Sequence, residues 1–131
     1  MVSSVGPQIT EFEDQVKKFT GAAFAVATVN GTAALQIALE SSGLRPGDEV
    51  LLPSLTFAAT ASAVVHAGGI PVFIDSDPER IGLDPTSLRL WLQANAVGSA
   101  GKTMNKSSGN PIHSVVPVHI FGHPVQMNQV L

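Results

Sequence analysis

The chain has 131 residues, a formal net charge of -3, 44% hydrophobic and 13% charged residues, and a mean hydropathy of +0.27. That is long and apolar enough to bury a core, and it argues against a disordered segment. Its seven basic residues are scattered, which argues against nucleic acid as a partner. Cysteine is absent and no apolar run approaches the roughly 18 residues of a membrane span, so the reading is one soluble, cytoplasmic domain over residues 1–131.

From the amino end, Phe12, Val16 and Phe19 share one face of a surface helix over Ile9 to Phe19, with acidic residues early, Lys17 and Lys18 late, and Gly21 as its stop. Ala23 to Thr28 is a short apolar run that predicts a buried strand. Asn30-Gly31-Thr32 breaks it, and Ala34, Leu35, Ala38 and Leu39 then recur at helical spacing. Arg45-Pro46-Gly47-Asp48 is turn chemistry, Glu49 to Leu52 predicts a strand, and a helix follows from about Thr56 to Ala67. Ile70 to Ile74 is a third strand, and Asp84-Pro85 starts a helix ending near Ala94. Residues 95–110 are rich in Gly, Ser, Asn and Lys and read as a flexible polar insertion. His113 to Val118 is a fourth strand, and a last helix begins near Gln126. Strands alternating with helices predict an α/β fold, a mainly parallel sheet of about four strands with helices on both faces.

Three segments at strand ends are able to carry chemistry. The turn at Gly31, Thr32 and Ala33, between a strand and a helix, is either a plain tight turn or a phosphate site built from backbone N–H groups and a helix dipole. Phe57 sits at a helix start, either as a core residue or as a ring on which a flat heteroaromatic ligand stacks. His119 and His123 straddle a Gly-Pro turn rather than one helical face, so they read as polar residues of a pocket edge and not as a metal pair. Asp75 and Asp77 read as turn formers before Pro78 rather than as an acid–base pair, and His66 and His113 as structural or surface residues. Lys102 and Lys106 lie in the polar insertion, away from the burial that activates an amine.

Six segments, in order and spacing, resemble the DegT/DnrJ/EryC1/StrS family of sugar aminotransferases. They are Val2-Ser3-Ser4-Val5-Gly6-Pro7, Asn30 to Leu35, Arg45 to Val50, Pro53 to Thr60, Gly69 to Asp75 and Pro117 to Pro124. The resemblance implies part of the large domain of a fold type I enzyme that uses pyridoxal 5'-phosphate. It carries the cofactor phosphate to Gly31, Thr32 and Ala33 and the pyridine ring to Phe57, and it implies a keto sugar nucleotide as substrate, with Val2-Ser3-Ser4 and Phe121 to Pro124 resembling the branch acting on 4-keto-6-deoxy sugars. The incomplete sheet of such a fragment leaves apolar edges and faces open, which predicts a homo-oligomer. The family's pyridine-pairing aspartate and cofactor-linking lysine are expected beyond Leu131, so no catalytic residue is assigned. The expectation is a chain cut at both ends and inactive alone, the alternatives being a non-catalytic phosphate or cofactor-binding module, or one half of a split enzyme.

Overall fold

The computed structural model describes residues 6–99 and 101–131. The Val2-Ser3-Ser4-Val5 stretch and Ala100 lie outside the described residues. The chain divides into two compact units, one ending at Gly31 and one spanning Thr32–Leu131.

In the first unit, helix α1 (Pro7–Thr20) starts with Pro at its first position and ends at Gly21, whose φ of 75° lets its N–H reach the Lys17 carbonyl. None of its residues is buried. Residues 23–28, expected as a strand, form none: no ladder partner occurs among the described residues, and Phe24 and Val26 are exposed. Apolar composition alone does not make a strand, because the strand's backbone needs a neighbour. The segment is instead tied by the Ala27 N–H to Glu13 Oε1 at 2.8 Å.

Helix α2 (Gly31–Ser41) leads to strand β1 (Glu49–Pro53), helix α3 (Ala58–His66), strand β2 (Ile70–Ile74) and helix α4 (Pro85–Asn95). Strands β3 (Ala96–Ser99), β4 (Lys102–Asn105) and β5 (Ile112–Val115), a 3-10 turn at Ile120–Gly122 and the short α5 (Met127–Val130) complete the chain. Three of the four expected parallel strands form a sheet in the order β2-β1-β5, with β1 parallel to both neighbours. Every residue of β1 is buried. Val50 and Leu52 pack with Leu39, Leu44 and Val64, while Leu51 packs with Ile74, Leu83, Leu88 and Val125. Period-two alternation thus feeds two cores, and helices cover both faces of the sheet. No helix among the described residues is long and apolar enough to cross a membrane.

The polar segment expected as a loop over residues 95–110 carries an antiparallel hairpin, β3 with β4. A ladder is made by backbone groups and needs no apolar side chains. What holds it is non-local: Glu49, 2% exposed, accepts from Asn105 Nδ2 at 2.8 Å and from the Ser108 hydroxyl. Lys106 Nζ donates to the Ala94 carbonyl at 2.8 Å, neutralising the end of α4.

Asp84 caps α4 by accepting from the N–H groups of Thr86 and Ser87 at 3.0 and 3.1 Å. Burial pushes its pKa up, but the Ser87 hydroxyl, those two N–H groups and Arg89 reverse this and leave it below 3.8. The cap's stabilisation is therefore complete above the unfolded value and is lost as pH falls through the lower folded one. Asp84→Ala is expected to cost about 1 kcal/mol near pH 7. Urea midpoints should show that difference shrinking as the pH is lowered below the ordinary carboxylate range and through the depressed folded value.

Candidate functional site

The segment after β1 is held by the chain leaving β2. The Ser54 N–H donates to the Ile74 carbonyl at 2.7 Å, and the Leu55 N–H to Ser76 Oγ at 3.1 Å. Thr56 Oγ1 and Thr60 Oγ1 lie 2.8 Å apart and share a hydrogen bond. Phe57 is the residue before α3, with extended backbone, and its side chain is 80% exposed. Among the described residues this ring is not packed into a core. Leu55, Thr56 and Phe57 form one side of a hollow of about 380 Å³, and residues 118–121 form the other. The Val116 N–H donates to the Leu51 carbonyl at 2.8 Å, which carries the β5 side of the hollow up against β1.

Phe121 was not foreseen as part of the site. It adopts φ 49° and ψ 27°, left-handed values that an aromatic residue rarely takes, and its ring is 91% exposed. The Phe-Gly-His-Pro run signals a turn, but not that the phenylalanine rather than the glycine alone would take a positive φ.

α2 begins at Gly31, and among the described residues a Cβ added there meets nothing within 4 Å outside its own helix and chain neighbours. Gly31 also lies outside the left-handed region, so neither backbone angle nor protein packing requires glycine. Thr32 and Ala33 follow in the first turn, both half-buried, and Ala33 already has an interaction of its own.

Several of the other candidates find structural work, while His66 and His123 are exposed. His119 Nδ1 accepts from the Val125 N–H at 3.1 Å, and His123 is exposed. His113 Nε2 lies 2.8 Å from Ser42 Oγ and its Nδ1 4.0 Å from Asp48 Oδ2, tying the start of β5 to the end of α2. His66 is exposed in the last turn of α3. Asp77 Oδ1 accepts from the N–H groups of Glu79 and Arg80 at 2.8 and 3.1 Å, the turn role expected of it. No lysine is among the described residues that line the hollow: Lys17, paired with Asp14, and Lys18 are on α1, and Lys102 and Lys106 lie at the hairpin.

Residues 1–131 match the DegT/DnrJ/EryC1/StrS aminotransferase family. GDP-perosamine synthase of Caulobacter vibrioides is 35% identical over 130 residues, covering 99% of this chain and 31% of that protein. The UDP-2-acetamido-2-deoxy-3-oxo-D-glucuronate aminotransferase of Pseudomonas aeruginosa is 45% identical over 84 residues, 64% of this chain and 23% of that one. A crystal structure of a DegT DnrJ EryC1 StrS aminotransferase from Brucella abortus superposes with a TM-score of 0.80 at 33% identity, over 96% of this chain and 31% of that one. NtdA from Bacillus subtilis, solved with bound cofactor PMP, superposes with a TM-score of 0.73 at 28% identity, over 96% of this chain and 25% of that one. The chain thus spans about 31% of the length of the first of these relatives.

The strained turn yields a separable outcome. Phe121→Gly removes both the left-handed penalty and one wall of the hollow, so the denaturant midpoint should rise by the equivalent of about 1 kcal/mol, while any ligand of the hollow binds less tightly.

Proposed function

The chain belongs to the DegT/DnrJ/EryC1/StrS aminotransferase family, and on that premise we propose that it forms the phosphate- and ring-binding part of a pyridoxal phosphate-dependent sugar-nucleotide aminotransferase. The observation that carries the reading is the exposed Phe57 ring at a helix start, over a hollow at the carboxyl end of parallel strands. Ligands of open α/β sheets collect there.

The residues suit the group. Gly31, Thr32 and Ala33 open α2, where backbone dipoles favour an anion without a cationic side chain. The space over Gly31 that a Cβ would fill supports close approach of a phosphate. Phe57 offers its face to the pyridine ring. Bound pyridoxal phosphate supplies the electron sink through which amino groups are transferred. The chain's own part is to bind the phosphate, orient the ring and shield one face of it from water. Among the described residues no lysine lines the hollow, and the contacts named here are non-covalent. The substrate in this reading is a keto sugar nucleotide, the class named by the Pseudomonas relative, and the working protein is a cytoplasmic homo-oligomer.

Titration of pyridoxal phosphate, followed by its absorbance, tests the reading. Phe57→Ala should weaken binding roughly 3- to 10-fold. Gly31→Ala should hold or slightly raise the melting temperature and still weaken binding, because the added methyl meets ligand and no described protein neighbour. Borohydride reduction followed by mass spectrometry should find no lysine adduct. Identical flat titrations for wild type and Phe57→Ala would remove the proposal.

A further inference from the structure

The geometry points to His119 as a further ligand-contacting residue of the Phe57 hollow, whose Nε2–H donates to an acceptor atom on the rim of the flat ring; this rests on the stacking reading above. The first support is the tautomer. The Val125 N–H donates to His119 Nδ1 at 3.1 Å, and a ring nitrogen that accepts carries no proton. Neutral His119 is therefore the Nε2–H form, a donor with its ring orientation set from behind.

The second support is how firmly that bond is held. Val125 is buried among Leu51, Ile74, Leu83 and Leu88. Gly82 presses against it so closely that an added Cβ would lie 2.8 Å from Val125 Cγ2 and 3.4 Å from the Val118 carbonyl oxygen. Segment 118–125 is thus closed down on Gly82, and the Val125 N–H that fixes the imidazole has little room to drift.

The third support is what else the hollow offers. Apart from His119, its lining side chains are apolar except Thr56, whose hydroxyl is already hydrogen-bonded to Thr60. His119 also borders an open groove of about 620 Å³ that includes Arg80, Asn128 and Gln129. It stands where an apolar ring seat meets a groove of mixed polarity. The ligand class that uses both is a flat heteroaromatic ring with a phenolic oxygen or ring nitrogen at its edge.

Pyridoxine 5'-phosphate, which forms no covalent link, is the probe. It is titrated by calorimetry into the 131-residue chain and into Phe57→Ala, His119→Ala and His119→Gln. His119→Ala should lose roughly ten-fold in affinity. His119→Gln keeps an acceptor for Val125 and an amide donor, and should stay within about three-fold of wild type. Nitrogen NMR of the unsubstituted protein should show Nδ1 in its unprotonated form, and the Nε2 resonance should move on saturation with the probe. A purely structural histidine would not show that movement. An unmoved Nε2, or His119→Ala binding like wild type while Phe57→Ala is weakened, overturns the role of His119 and leaves the stacking reading standing. Absence of binding by wild type overturns both.

Discussion

Parallel pairing of β1 on both of its sides is the constraint from which the candidate site follows. Glu49 to Pro53 run in register with Ile70 to Ile74, and Val50 and Leu51 with Ser114 and Val115. Chains leaving parallel neighbours emerge at the same end of the sheet, so residues 54–57 and 116–121 meet there with no direct link between them. The hollow over Phe57 is the gap that remains between those two exits. Because Val50, Leu51 and Leu52 are wholly buried, with each face packed under helices, the exits inherit the rigidity of the best-packed strand in the molecule.

The opposite end of β1 is closed by polar groups instead. A carboxylate taken out of water is tolerated only with hydrogen-bond partners, and Glu49 obtains them from Asn105, Ser108 and, at 3.5 Å, Asn110. Those partners are presented by the β3–β4 hairpin and the turn after it, which Lys106 ties to the end of α4 and the Met104–Pro111 bridge ties toward β5. The hairpin is in this sense a polar lid on the amino end of the sheet. The carboxyl end, in contrast, leaves two aromatic rings in solvent at Phe57 and Phe121.

Elements set by local chemistry were legible in the sequence. Asp84-Pro85 opens α4 where a capping carboxylate and a first-position proline demand it, and Ile70 to Ile74 is a strand with its proline on the tolerated second residue. Phe57 falls at a helix start as expected, although the helix begins at Ala58 and not near Thr56. Elements set by distant partners were not legible. Residues 23–28 have a strand's composition but no described ladder, and Val97, Thr103 and Met104 sit in a ladder within a loop's composition. Of the candidate site, the aromatic and the glycine turn could be named from their neighbours in the chain. The left-handed Phe121 and the Val125 contact that orients His119 could not, because both depend on how segment 118–125 closes over Gly82.

The clamp on Glu49 also bears on how the chain comes to be folded as it is synthesised. Asn105 lies 56 residues after Glu49, so at roughly 5–20 residues per second the strand waits about 3–11 s with its carboxylate unmatched by that partner. Until then, closing water away from the amino end of β1 is unfavourable. A charge at the first residue of an apolar strand thus ties the closing of that strand's amino end to a segment made later in the chain.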